Sequence, residues 1–293
     1  MKVDRLGWVA GITFVSQGLR IGIRVSDAAI LDRLPGLVPW GARLSTSPFV
    51  EMLYSVVGGG AGPRRGMRRY HVVYSGGTRM VRTHDLDEAL EVLSEGVKRY
   101  VSVWAPRRIF VRAGVVAWRG RAILIPGGSH SGKSWMVRAL VEAGAEHYSD
   151  AFAVLDSRGR VHPFPLPLEV LGPGSRRARA VGDLGGRTGR RPLPVALVVV
   201  TRYVPGGRFK PRVLGRGRAV LELLSHTVPA RRSPDRALEA LSRVVAEAPV
   251  VKGPRGEADR AVSEILDVER WLRTASVRSS APRPCPVELR AGG

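Results

Sequence analysis

Cysteine is almost missing from this chain. Cys285 stands alone in 293 residues, so no disulfide can close within the chain and no cysteine cluster can hold a metal. Lysine is scarce as well: only Lys2, Lys98, Lys133, Lys210 and Lys252 are found among 47 basic residues, leaving 42 arginines. No stretch approaches the ~20 apolar residues that a membrane-spanning helix requires. Residues 1–5 lack the basic-then-apolar layout of a secretory signal. A cytoplasmic protein with no membrane partner is therefore expected. No internal repeat is seen. Acidic residues number 25, which leaves a formal net charge of +22. Such a balance is one footprint of nucleic-acid binding. Here the arginines are dispersed, and their excess over lysine, with 35 Gly and 21 Pro, reads as a GC-rich genome. Nucleic acid is not expected as the main partner.

What is present is ordinary globular material, 44% hydrophobic and 25% charged, with enough length for one large domain or two modest ones. Residues 1–106 read as a β-rich region ending in a helix. Strands are expected at 8–15 and 19–25 around Gln17-Gly18, and at 69–74 and 79–83 around Ser75-Gly76-Gly77. The glycine-rich stretch 58–66 reads as a loop. Asp85 with Glu88 three residues on forms a capping-box pattern, and Leu86, Ala89, Leu90, Leu93, Val97, Val101 and Trp104 follow helical spacing. Pro106 ends that helix, and a domain boundary is placed there.

Residues 107–275 read as an α/β domain. Strands are expected at 109–117 and 121–125, a helix carrying Met136, Val137, Leu140 and Val141, and a strand region at 147–155 before the turn Asp156-Ser157-Arg158-Gly159. Residues 171–194, with six glycines and six arginines, read as a long mobile loop. A buried strand at 195–201 follows. Two helices then close the domain, one capped by Ser233 with Pro234 in first position, the other over 257–274 with Val262, Ile265, Leu266 and Leu272 inward. Residues 276–293 read as a disordered tail.

The chemistry is concentrated in Gly127-Gly128-Ser129-His130-Ser131-Gly132-Lys133-Ser134. This run satisfies the phosphate-loop pattern, in which glycines let successive N–H groups turn toward phosphate oxygens. Lys133 would reach the β- and γ-phosphates, Ser134 would ligate magnesium, and the helix that follows would offer its positive end. An apolar strand before the loop and an amphipathic helix after it are the context that the pattern demands. An acid must also hold or orient the metal. Asp150, just beyond the loop's helix, is the better candidate; Asp156 competes but sits in a turn pattern. The histidines show no paired metal-ligand spacing. Arg176, Arg177, Arg179, Arg187, Arg190 and Arg191 could close over phosphates or an acidic peptide, or simply line a solvated loop.

At these residues the chain resembles the HPr kinase/phosphorylase family, particularly its uncharacterised bacterial relatives. The likeness covers residues 107–167, from Ala113-Gly114-Val115-Val116-Ala117-Trp118 through the loop and Tyr148-Ser149-Asp150 to the hairpin at 154–163. Weaker likeness extends back to Asp85 and forward through Arg202-Tyr203 to Gly253-Pro254-Arg255-Gly256. The resemblance implies a fold like phosphoenolpyruvate carboxykinase and ATP- and magnesium-dependent phosphorylation of a serine hydroxyl. It matches Asp150 to the catalytic base. Arg112 stands where the family commonly has histidine, Ala151 where it has a second acid, and Trp135 where it has a small or polar residue. The expected function is thus a phosphotransferase acting on a serine of a protein or peptide, with Lys133 and Asp150 catalytic. A homo-oligomer is compatible with it. A nucleotide-holding regulator without turnover and an NTPase acting on nucleic acid are the rivals.

Overall fold

The computed structural model describes residues 6–61, 68–128, 131–165, 168–172, 175–179, 186–267 and 270–273. The N-terminal part is a six-stranded sheet backed by one long helix. Strands β1 (Ala10–Ser16) and β2 (Leu19–Val25) pair antiparallel. Gln17 and Gly18 turn between them with φ of 51° and 90°, the positive values that a two-residue hairpin demands. β3 (Arg43–Leu44) adds to β1, and β4 (Met52–Val57) pairs parallel to β2 in mid-sheet. No strand was expected at β4. In the stretch read as a loop, β5 (Gly60–Ala61) pairs with β6 (Arg68–Arg69). β7 (His71–Ser75) and β8 (Thr78–Thr83) form the expected hairpin and complete the order β3-β1-β2-β4-β7-β8.

Helix α1 (Leu86–Trp104) lays Ala89, Leu90, Leu93, Val97 and Val101 on that sheet. Its cap differs from the expected reciprocal box. Asp85 does accept a backbone N–H, that of Asp87 at 2.8 Å, but Glu88 accepts the Thr83 hydroxyl at 2.5 Å. Thr83 Oγ1 in turn accepts the Asp85 N–H at 3.1 Å, so the loop closes through threonine. The same core includes Phe110, Val154 and Phe164 from beyond residue 106, with Phe110, Phe152 and Phe164 meeting edge to face.

An eight-stranded sheet forms the second part. It holds β9 (Ile109–Trp118), β10 (Arg121–Pro126), β11 (Glu146–Ser149), β12 (Phe152–Leu155), β13 (Val161–His162), β16 (Val195–Tyr203), β17 (Arg212–Val213) and β18 (Val250–Arg255). β14 (Leu168–Gly172) and β15 (Ser175–Arg179) make a separate hairpin that runs into the stretch read as a mobile loop. The main order is β13-β12-β9-β10-β16-β18-β17, with β11 also on β9. β10, β16 and β18 run parallel in the centre. Alternating side chains build two cores on opposite faces, as strand geometry dictates. Ala122 and Leu124 point to one, with α3 (Arg216–Ser225) and α4 (Pro234–Glu247) packed over it. Ile123 and Ile125 point to the other, under α2 (Lys133–Glu142) and α5 (Ala258–Leu266).

The expected pair of closing helices is therefore three helices and a strand, since α3 and β18 were not foreseen. Ser233 occupies the N-cap position of α4 but makes no side-chain cap bond. The last expected helix stops at Leu266 with a separate turn at 270–273, and Val262, Ile265, Leu266 and Leu272 do pack inward. Among the described residues no helix is long and apolar enough to cross a membrane. The expected tail lies outside the described residues.

Candidate functional site

β10 is buried from Ala122 to Pro126, and the chain leaves it at Gly127 to enter α2 at Lys133. The Gly127 N–H donates to the Arg112 carbonyl at 3.1 Å, anchoring the exit to β9. A Cβ at Gly127 would run into Ser131 Oγ, so glycine is required for the turn to close. Ser131 Oγ donates to the Gly128 carbonyl at 2.9 Å, and Lys133 Nζ donates to the same oxygen at 3.1 Å. Gly132 caps α2 in the left-handed region, with φ of 79°. Gly127, Gly128, Ser131, Gly132, Lys133 and Ser134 are thus gathered in one turn. Ser129 and His130 lie outside the described residues.

The first N–H groups of any α-helix lack partners within it. Helices α1, α4 and α5 each carry an acidic residue in the first turn, whereas α3 has neither an acid there nor a side-chain cap. α2 has none, and no side chain caps it. Ser131, Gly132, Lys133 and Ser134 are half-buried rather than covered. An uncapped positive helix end beside a lysine is arranged to meet an anion. α2 reaches this position because Gly114 gives it room: a Cβ there would strike Val137 Cγ2.

Asp150 stands across β9 from the loop. The expected strand at 147–155 is broken into β11 and β12, and Asp150-Ala151 form the break. Ser149 makes this turn, its buried Oγ accepting the N–H groups of Ala151 at 3.3 Å and Phe152 at 3.1 Å. Ala113 of β9 faces Pro126 on one side, and on the other its N–H donates to the Ala151 carbonyl at 3.1 Å. Two strand spacings, about 10 Å, therefore separate the backbones of the loop exit and the Asp150 turn. Asp150 is 8% exposed. Asp156 serves as the expected turn residue: Oδ1 accepts the N–H groups of Arg158 and Arg160, and Oδ2 meets His162 Nε2 at 2.9 Å.

Three groups at the loop were given no role from the sequence. Arg255, only 3% exposed, ends β18 beneath the loop. Its Nη2 donates to the Gly132 carbonyl at 3.0 Å, its Nη1 to the Gly256 carbonyl at 2.8 Å, and its Nε to Thr201 Oγ1 at 3.4 Å. Burial lowers its pKa, opposed by Glu257 and Tyr203. His226 follows α3, where its carbonyl accepts the Arg112 N–H at 2.8 Å. Arg112 thus joins Gly127 through its carbonyl and His226 through its N–H. Burial lowers the His226 pKa; Glu222 opposes this, while Lys252, Arg112 and Lys133 lower it further. Lys252 Nζ donates to Glu222 Oε2 at 2.7 Å, beside the His226 ring. These residues come from distant parts of the chain, and only the parallel order of β10, β16 and β18 brings them to one sheet edge. Arg255 lies in the Gly253-Pro254-Arg255-Gly256 run of the family likeness, which gave it no role, and no local motif marks His226 or Lys252.

Among the described residues no group of three or more His, Cys, Asp or Glu is placed to hold a metal ion. The arginines of residues 171–194 do not all gather at the loop. Arg187, Arg190 and Arg191 line a cavity at the opposite end of β9 with Trp118 and Arg119. Arg176, Arg177 and Arg179 belong to β15.

Together these features define a mixed α/β protein in which a strand, a glycine-rich turn and a helix form a cationic end of the sheet, with a buried aspartate across β9. No protein-family model and no curated protein matches the sequence. Among solved structures the chain is similar to one described as the Hpr(Ser) kinase/phosphatase from Coxiella burnetii. The identity is 12%, the match covers 59% of this chain and 99% of that one, and the TM-score is 0.28. At that score the superposition carries no functional argument.

Proposed function

We propose that residues 127–134 bind ATP with magnesium and that the chain transfers phosphate to a serine hydroxyl of a protein or peptide. One observation carries the reading: a glycine-dependent turn leads from a buried parallel strand into an uncapped, acid-free helix end, with Asp150 one strand beyond. The residues present fit the nucleotide. Gly127 and Gly132 let the turn close on Ser131 and Arg255, the α2 N–H groups supply donors, and Lys133 supplies charge. When bound, ATP-Mg brings the transferable phosphoryl group and the positive metal beside it.

Lys133 would neutralise phosphate oxygens, and the N–H groups of Gly128, Ser131 and Gly132 would help to cradle them. Ser134 and Asp150 would hold the magnesium. Asp150 is also the base that takes the proton of the acceptor hydroxyl, a role typically worth ~10²–10⁴ in rate. Arg255 holds the Gly132 carbonyl and so keeps the loop in shape. A division into residues 1–106 and 107–275, a cytoplasmic location and a capacity for homo-oligomers belong to the same proposal.

A nucleotide-holding regulator is favoured by one local fact. Arg112 faces Phe152 across the ladder beside the Asp150 turn, and Ala151 lies in that turn, so a cation stands where the resembled family has histidine and a methyl where it has a second acid. Single-turnover assays with γ-labelled ATP and a library of serine peptides separate the readings. Labelled phosphoserine supports the kinase. Phosphate released without acceptor indicates an NTPase, and ATP retained unchanged indicates the regulator.

A further inference from the structure

The sheet has a second charged end. Where β9 turns into β10, at Trp118, Arg119 and Gly120, a cavity of about 660 Å³ opens. The six residues of β10 put roughly 20 Å between this end and Gly127, so one small ligand cannot occupy both places.

The far wall is residues 187–193, and its backbone is fixed. The His147 N–H donates to the Arg187 carbonyl at 2.7 Å, and the Gly189 N–H returns to the His147 carbonyl at 2.9 Å. Tyr148 Oη donates to the Arg191 carbonyl at 2.9 Å. Leu193 and Val161 exchange N–H···O bonds of 2.9 and 2.8 Å. Gly189 lies so close to the Tyr148 ring that any Cβ would overlap it. From this wall and the Trp118–Gly120 turn come Arg119, Arg187, Arg190 and Arg191, opposed within the lining only by Glu146. Among the described residues Arg187, Arg190 and Arg191 form no ion pair.

We propose that this cavity is a binding site for a small polyanion carrying two or more phosphate or carboxylate groups. Guanidinium groups match the planar geometry of oxyanions and hold them bidentately. Three of the arginines come from one seven-residue wall, 187–193, and Arg119 from the turn opposite, an arrangement suited to a ligand with more than one anionic group. The volume lies within the ~300–1,000 Å³ range of small-molecule sites, and half-buried Trp118 supplies flat apolar surface for the ligand's body. The proposal stands independently of nucleotide binding at the phosphate loop.

The test titrates the full chain with pyrophosphate and separately with citrate, free of magnesium, by calorimetry and tryptophan fluorescence. Four proteins are compared: wild type, Lys133→Ala, Arg190→Gln/Arg191→Gln, and Arg231→Gln/Arg236→Gln as a control with equal charge loss elsewhere. The expected result is one-to-one binding that survives Lys133→Ala and the control but weakens at least tenfold in the Arg190/Arg191 variant. Tighter pyrophosphate than citrate binding assigns a phosphate ligand, and the reverse a carboxylate. Binding that disappears only in Lys133→Ala places the anion at the phosphate loop and overturns the proposal. Equal losses in both arginine pairs reduce it to diffuse charge and overturn it as well.

Discussion

Replacing Gly132 by alanine should cost far more than replacing its neighbour Gly128. Gly132 has φ of 79°, and a Cβ there would occupy the place of Arg255 Nη2. A non-glycine residue in this conformation costs about 1–2 kcal/mol. Displacing Arg255 also breaks its hydrogen bond to the Gly132 carbonyl, and a bond from a charged group contributes about 1.5–3 kcal/mol. The combined loss is about 3–5 kcal/mol, which for a domain of this size lowers Tm by roughly 10 °C. Among the described residues a Cβ at Gly128 meets nothing within 4 Å, so Gly128→Ala should stay close to wild type. Differential scanning calorimetry of both variants reads the contrast. In an Arg255→Met background the Gly132→Ala cost should shrink, because the displaced donor is already gone. Equal Tm values for the Gly132 and Gly128 variants would refute the contact between Arg255 and the loop.

Three further outcomes are expected. Ala151→Glu should raise single-turnover phosphate transfer by adding a carboxylate beside Asp150; a wild type that is already fast and slows on substitution would contradict this. Duplex DNA should bind weakly, without sequence preference, and fade steeply with salt; sequence-selective retention at physiological salt in a filter-binding assay would reverse the reading of the arginines. His147 is fully buried with neither ring nitrogen hydrogen-bonded, and burial lowers its pKa from 6.5 to about 4. Between those values the unfolded chain binds a proton that the folded chain refuses. Its stabilising effect is therefore complete above about pH 6.5 and lost as pH falls toward 4, a swing of about 3 kcal/mol. His147→Leu should flatten the urea-derived stability profile over that window, and an unchanged slope would show that the ring is protonated inside the fold.

The sequence revealed what local pattern controls. The Gln17-Gly18 hairpin, the helical stripe from Leu86 to Trp104 and the strand–glycine–helix run at 121–142 each follow from neighbouring residues alone. β18 was hidden because Gly253-Pro254 interrupts a short apolar run, and proline in a strand argues against one. Its place in the sheet comes from pairing with β16 and β17. The stretch 171–194 read as a mobile loop from its composition, yet β14 and β15 pair there and residues 187–193 are tied to β11 and β13 by backbone bonds. Composition carries no record of such ties. For the site, the glycines and Lys133 were visible as a motif, and Asp150 as the acid following the helix. The Ser149 turn, the Arg255 brace and the approach of His226 to Arg112 depend on strands that meet only in three dimensions.

The central claim is that residues 127–134 hold ATP with magnesium, and Lys133→Ala tests it most directly. Lys133 is half-buried at the surface end of α2, outside the three hydrophobic cores, so its removal should leave the fold intact, with Tm lowered modestly by the loss of its bond to the Gly128 carbonyl. Isothermal calorimetry with ATP-Mg should show one site on the wild-type chain and at least a tenfold loss of affinity in the folded variant. Unchanged ATP-Mg binding by a folded Lys133→Ala protein would contradict the account.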